Sequence, residues 1–129
     1  MTMKKLLAGL ALTTVLATAT SPSLAHHSAN AQFDTSKEVT LKGTLVELRD
    51  INPHSRWVVE IQNPAGKVEK WEFEGVSPTA LRRQGIKVKE EIKPGETYTF
   101  TFAPTWDGSK GGLLVAMDIR GRHVIYVKI

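Results

Sequence analysis

The chain has 129 residues and contains no cysteine. This absence excludes disulfide bonds, thiolate nucleophiles and thiolate metal ligands, so any metal site must use nitrogen and oxygen donors. Long apolar runs are also scarce. The main one, residues 6–19, is interrupted by threonines and is shorter than the roughly 20 residues that span a bilayer. Nothing later in the sequence is more apolar, so we expect no stable membrane insertion.

The net charge is also small, because positive and negative residues nearly balance. The formal net charge is +4, and two of these positive charges, Lys4 and Lys5, lie within the first 25 residues. A basic cluster lies further along the chain, and Glu90 and Glu91 lie beside it, so we interpret it as a solvated surface. Its members are Arg82, Arg83, Lys87, Lys89 and Lys93. So weak a charge does not favour nucleic acid as a partner.

The first 25 residues have the pattern of a secretory signal peptide. A positively charged start precedes the short apolar run, and a small-x-small motif ends at Ala25. We expect cleavage after Ala25, which makes His26 the new N-terminus and predicts a periplasmic or secreted protein. A rival cleavage after Ala31 fits the motif but lies further from the apolar run, so it is the less favoured site.

The rest of the sequence predicts one β-rich domain. Residues 26–36 are small and polar apart from Phe33, which predicts an extended N-terminal arm. Apolar residues then alternate in short segments that are separated by turn residues. Strands are expected at 37–48, 57–62, 68–74, 97–102, 113–119 and 123–128. In the first strand the apolar parity changes after Leu45, which indicates a bulge or bend near Gly43.

One short helix is expected between the third and fourth strands. In SPTALRRQG, residues 77–85, Ser77 suits the N-cap, Pro78 suits the first helical position, and Gly85 suits the residue just past the end. Three strands, a helix and two or three further strands form the element order of a small Greek-key barrel. We therefore predict an all-β, OB-like barrel over 37–129, with an immunoglobulin-like sandwich as the alternative.

The histidines at the expected cleavage site are the strongest candidates for chemistry. An N-terminal His26 offers its free α-amine and its ring to one metal ion, with ordinary pKa values near 7.7–8.0 and 6.5. Copper(II) favours such nitrogen donors in a tetragonal arrangement, and zinc accepts them in a tetrahedral one. His27 is a further candidate, through its ring or its backbone amide.

His54 is the best candidate for an additional imidazole. Its loop joins the first two strands, which places it at the ligand-binding rim of an OB barrel. An arm of about eleven residues would reach that rim at ~3.3 Å per residue. The competing interpretation is a solvated histidine pair near the N-terminus and a loop histidine that caps a turn.

Three further residues are weaker candidates for ligand binding. Glu74 is a possible carboxylate neighbour at the end of the third strand, and His123 lies near the last turn. Trp106 lies in a turn rich in Gly and Ser, where its ring could stack on a sugar, cover a metal or act as a lid. The other aromatics fall at inward strand positions and are interpreted as core.

Catalysis without a metal has little support in the sequence. Ser28 and Ser55 lie near histidines, but neither lies in a nucleophile elbow and no acid completes a triad. We therefore expect a protein that is not an enzyme, although an oxidative copper enzyme with an N-terminal histidine brace is a minor alternative.

Six segments carry a resemblance to a known family. They are AHHSANAQFD, VTLKGTLVEL, NPHSRW, WEFEGVSPTALRRQG, KPGETYTF and DGSKGGLL. Together they resemble domain-of-unknown-function family 6152, a family of small exported bacterial proteins. The chain departs from the family pattern at Ile86, where a tryptophan is usual. The resemblance implies no activity, but it supports the layout and draws attention to His26, His27 and His54.

Two functions from different classes follow from these observations. The first is a periplasmic, non-enzymatic metal-binding module, with copper preferred over zinc, that uses His26, His54 and His27. The second is a metal-free barrel that binds a peptide, a glycan or a partner protein, in which the histidines are incidental.

Overall fold

A computed structural model describes residues 29–127, apart from the side chain of Ile125. The expected signal peptide, its preferred cleavage site and the two candidate ligands His26 and His27 lie outside the described residues. Six strands and two short helices follow in the order β1 (Val39–Arg49), β2 (Arg56–Gln62), β3 (Val68–Glu74), α1 (Pro78–Arg83), α2 (Val88–Glu91), β4 (Thr97–Pro104), β5 (Gly111–Ile119) and β6 (Arg122–Ile125).

The strands form a closed barrel. Their order in the sheet is β3-β2-β1-β4-β5-β6, and a parallel pairing between β3 and β5 closes the first five strands on themselves. All other neighbours are antiparallel. Closure removes exposed edges from those five strands, while β6 extends the sheet beyond the barrel. The prediction of an all-β, OB-like barrel with five to six strands and a helix between strands three and four is confirmed.

Strand β1 is long because it pairs with two neighbours and bends between them. Its register with β2 shifts between Leu45 and Glu47, so Val46 is the extra residue of a bulge. The predicted irregularity therefore lies a few residues after Gly43. Gly43 serves a different purpose, since a Cβ there would lie 2.5 Å from Cγ1 of Val59. Only glycine allows β1 to approach the core this closely.

The barrel interior is filled by aromatic and branched side chains. Its largest fully buried members include Trp57, Phe73, Phe100, Phe102, Leu45 and Leu114. Phe73 contacts both neighbouring phenylalanines, with ring centroids 4.6 Å from Phe102 and 5.6 Å from Phe100. The alternation in TYTFTF correctly identified the inward face of β4.

Helix α1 packs against one end of this core. The Ser77 hydroxyl accepts a hydrogen bond from the backbone N–H of Ala80 at 3.2 Å, Pro78 occupies the first turn, and Gly85 has a φ of +77°. These are the three signals on which the prediction rested. Leu81 is fully buried. Among the described residues, no helix has the length and apolarity needed to cross a bilayer.

Helix α2 was not predicted, because its sequence VKEE has no apolar period. Two interactions of the Glu91 carboxylate hold this helix instead. A Glu91 carboxylate oxygen accepts from the backbone N–H of Lys87 at 2.8 Å, and the Arg122 guanidinium pairs with the same carboxylate. The hydrogen bond from the Lys87 backbone is the main reason that the pKa of Glu91 is lowered, with the positive charge of Arg122 as a further cause.

The N-terminal arm differs from the expected extended segment. Residues 29–32 form a helical turn, in which the N–H of Phe33 donates to the carbonyl of Ala29 at 2.9 Å. Phe33 then pairs with Thr105 in an isolated bridge and packs into a small apolar cluster on β4 and β5. The arm is thus docked on the hairpin formed by these two strands.

Candidate functional site

The loop between β1 and β2 is tied to the chain that leaves β3. Ser55 is fully buried, and its hydroxyl donates to the carbonyl of Val76 at 2.6 Å while accepting from the indole N–H of Trp57 at 2.9 Å. The N–H of Gly75 donates to the carbonyl of Ser55 at 2.8 Å. A Cβ at Gly75 would lie 2.4 Å from that indole nitrogen, so only glycine fits there. These contacts hold the neighbouring residue, His54, at a defined position.

His54 lies against a carboxylate at the end of β3. Its Nδ1 is 2.5 Å from Oε1 of Glu74. Glu74 is opposite Arg56 in the β2–β3 register, and the Arg56 guanidinium is 3.1 Å from its other oxygen, Oε2. The Glu74 side chain is 13% exposed, whereas that of His54 is 53% exposed. Both carboxylate oxygens are therefore engaged, while much of the imidazole ring remains open.

This arrangement suits His54 to act as one ligand of a metal ion. A histidine that binds a metal usually gives its other ring N–H to a carboxylate, which sets the tautomer and makes the free nitrogen a better donor. With Nδ1 against Glu74, Nε2 is the ring nitrogen of His54 that is left for a metal. The structure thus brings together two sequence-predicted residues, His54 and Glu74, as a supported imidazole.

The described part of the chain does not complete a metal site by itself. Over residues 29–127, no group of three or more His, Asp or Glu side chains is arranged to hold a metal ion. His26 and His27 are the donors that the sequence offers.

The docking of the arm shortens the segment that is free to reach His54, compared with the length expected from the sequence. Eleven residues were expected to be available, but the helical turn at 29–32 and the bridge at Phe33 hold the arm on the β4–β5 hairpin from residue 29 onward. If the chain is cleaved after Ala25 as predicted, three residues, 26–28, precede Ala29. At full extension they span roughly 10 Å, to which the side chains of both histidines add their own length.

Asp34 fastens the arm where it enters β1. Its side chain is buried, the Lys37 ammonium lies 2.8 Å from Oδ2, and the Ser36 hydroxyl donates to Oδ1 at 2.5 Å. Hydrogen bonds from Lys37 and then from Ser36 lower the pKa of Asp34, so this carboxylate stays charged at neutral pH. The backbone N–H of Asp34 donates to the carbonyl of Pro104 at 2.7 Å.

His123 forms a separate pair on β6. Its Nδ1 is 2.7 Å from Oδ1 of Asp118, the residue opposite it on β5. The side chain is 59% exposed. The structure does not bring His123 to the His54 cluster. Because His123 has the same ring atom held by the same kind of group, it is a matched control for His54.

Trp106 contacts the docked arm. Its indole N–H donates to the carbonyl of Asn30 at 2.8 Å, and its backbone N–H donates to that of Gln32 at 3.2 Å. The side chain is nonetheless 61% exposed. The predicted location in a turn is correct, and the indole fastens the arm while much of the ring remains open to solvent.

Sequence reasoning missed Arg56 and Gln32. Arg56 is found only after β2 and β3 are paired in register, since that pairing places it opposite Glu74. Gln32 acquires a role because the arm docks beside Trp106. The lone aromatic Phe33 in a polar segment was the available signal, since a buried Phe33 requires that the arm pack on the barrel.

The fold and these clusters define a small OB-like barrel protein with a docked N-terminal arm and a carboxylate-supported histidine at the end of β3. A family model described as "Family of unknown function (DUF6152)" matches residues 13–116. The chain therefore belongs to domain-of-unknown-function family 6152.

Two other comparisons identify neither a family nor a function. The chain is similar to a chain in the crystal structure of yeast Stn1 and Ten1, with a TM-score of 0.37 and 9% sequence identity. The match covers 64% of this chain and 42% of that one, so this chain spans less than half the length of its structural neighbour. A comparison with curated proteins gives no match.

Proposed function

We propose that the chain is an exported, non-enzymatic metal-binding module that holds copper(II) at the N-terminus of the processed protein. The observation that carries the proposal is the orientation of His54, whose Nδ1 lies against Glu74 while the ring is half exposed. A histidine held in this way is ready to donate Nε2 to a metal.

The remaining donors come from the processed N-terminus. Cleavage after Ala25 frees the α-amine of His26, and this amine and the His26 ring together chelate one ion. His27 adds its ring or backbone amide. With Nε2 of His54 these groups supply the nitrogen donors that copper(II) prefers in a tetragonal site. Zinc would compete for the same donors in a tetrahedral arrangement.

Two features support binding rather than catalysis. The hydroxyl of Ser55, the serine nearest His54, is buried and engaged by Val76 and Trp57, so it is not a free nucleophile. Glu74 contacts both His54 and Arg56, which suits it to orient the imidazole of His54. The proposed role is to bind, buffer or deliver the metal.

The experiment compares matched histidine variants of the processed protein. We expect His54→Ala to lower copper(II) affinity by more than tenfold, because it removes one ligand. Glu74→Gln should lower it by about tenfold, within the range found when the support of a metal-binding histidine is removed. Affinity is measured by competition with a chromogenic chelator.

His123→Ala is the control, since it removes an equally exposed histidine with an equivalent carboxylate contact. We expect it to leave copper affinity unchanged. Equal effects of His54→Ala and His123→Ala, or no effect of either, would contradict the role of His54.

A further inference from the structure

A groove lies between the docked arm and the β4–β5 loop, and neither His54 nor Glu74 lines it. Its volume is about 370 Å³. Besides Ala31 and Phe33 it is lined by the ring of Trp106 and by four polar residues, Gln32, Thr105, Asp107 and Ser109. It therefore combines one open aromatic ring with several short polar side chains.

Hydrogen bonds within the loop hold the residues that present the ring. The Asp107 carboxylate accepts from the N–H of Ser109 at 2.9 Å, and the Thr105 hydroxyl donates to the carbonyl of Ser109 at 3.1 Å. Gly108 supplies the positive φ of +75° that the turn needs. Trp106 itself is anchored at both its backbone and its indole nitrogen. A ligand would thus meet a preorganised surface and would lose little affinity to loop ordering.

Both nitrogen donors of Trp106 are used by the arm, so what it offers a ligand is an apolar face. A flat aromatic face with hydrogen-bonding groups at its edge is complementary to a pyranose ring, whose C–H face packs against the aromatic carbons while its hydroxyls reach the polar groups. Gln32 supplies an amide, and the Asp107 carboxylate, one oxygen of which accepts from the N–H of Ser109, has a second oxygen that can accept from a sugar hydroxyl.

The charges around the groove favour a neutral sugar over an acidic glycan or single-stranded nucleic acid. Among the described residues that line the groove, one is a carboxylate and none is Lys or Arg. The nearby Lys110 ammonium is 2.9 Å from a carboxylate oxygen of Glu69, which occupies it. Stacking single-stranded nucleic acid would require cations for its phosphates, and an acidic glycan would be repelled by Asp107.

We infer that this groove is a binding subsite for a neutral, gluco-configured oligosaccharide, with the Trp106 ring against the C–H face of one sugar. In gluco-configured sugars the ring hydroxyls are equatorial, which leaves the C–H faces flat. An axial hydroxyl, as at C4 of galacto-configured sugars, interrupts the C–H surface of the face from which it projects, whereas both faces of a gluco-configured sugar stay flat. The subsite does not depend on metal binding.

The test is a titration of the metal-free, ¹⁵N-labelled protein with cellotriose, followed by NMR. We expect saturable shifts of the Trp106 indole N–H and of the backbone amides of Gly108 and Ser109. The galacto-configured trisaccharide β-1,4-galactotriose is the stereochemical control and should bind at least fivefold more weakly. No saturable shift with cellotriose at millimolar concentration, or equal binding of both trisaccharides, overturns the inference.

Three variants separate stacking from loop or arm effects. Trp106→Ala should weaken binding by at least tenfold, whereas Trp106→Phe, which keeps an aromatic face but loses the donor to Asn30, should retain most of it. Gln32→Ala, a change at an exposed residue, should weaken binding severalfold. The unperturbed signal of the buried Trp57 indole reports that each variant is folded. Equal losses in Trp106→Phe and Trp106→Ala would overturn the stacking contact.

His54→Ala distinguishes this inference from the proposed function. It should leave saccharide binding unchanged while lowering copper affinity. A loss of saccharide binding in His54→Ala would overturn the assignment of the sugar to the Trp106 groove.

Discussion

Acetylation of the α-amine of His26 in the processed protein is expected to lower copper(II) affinity by at least about 100-fold. The amide that results is a poor donor, and the chelate formed by the amine and the ring of one residue is lost. A hundredfold loss corresponds to about 2.7 kcal/mol of binding free energy. No other position in the chain should show so large an effect from so small a chemical change.

The modification is selective because the α-amine has a pKa near 7.7–8.0, well below the value of about 10.4 for lysine, so it reacts first near neutral pH. Acetylation is preferable to adding a residue, since an added residue would place His27 third in the chain, where the amine, two amides and its ring could form a different copper site. Mock-treated protein is the control, and affinity is measured by chelator competition. Equal affinities of the two samples would contradict an amine-based site.

Gly111→Ala is expected to destabilise the fold by about 3 kcal/mol, near the upper end of the usual cost of overpacking. A Cβ at Gly111 would lie 2.3 Å from the carbonyl oxygen of Glu72, far inside van der Waals contact. These two residues are partners in the parallel β3–β5 pairing that closes the barrel. Because the obstacle is backbone rather than a flexible side chain, the closing strands must separate.

Urea denaturation measures this cost. Lys110→Ala is the neighbouring control, because it removes a surface ion pair with Glu69 and should cost no more than about 1 kcal/mol. Since β3 ends at Glu74, separation of β3 from β5 should also loosen the contact between Glu74 and His54. Equal stabilities of Gly111→Ala and Lys110→Ala would contradict the role given to this pairing.

Local patterns predicted those parts of the fold that depend on local physics. The alternation of TYTFTF identifies β4, and Ser77, Pro78 and Gly85 mark α1. Both were predictable because strand burial and helix capping depend on residues that are close together in the sequence. Helix α2 escaped prediction because a contact from Arg122, 31 positions beyond Glu91, helps to hold it. The helical turn of the arm depends in the same way on Trp106, which is 76 positions from Asn30.

The candidate site, too, was predictable only in part. Glu74 was identified as a possible neighbour of the loop histidine because it ends the strand that precedes α1. The direction of the contact, with Nδ1 of His54 against the carboxylate, follows from the β2–β3 register and from the ties that Ser55 makes, and spacing in the sequence specifies neither. The participation of His26 and His27 remains a prediction.

The most direct test of the copper site is the intact mass of the exported protein, recorded under native conditions with and without one equivalent of copper(II). The account predicts a mature chain that begins at His26 and gains the mass of one copper ion, which is lost on acid denaturation. A mature chain that begins at Gln32, or a chain that begins at His26 and gains no copper, would contradict it.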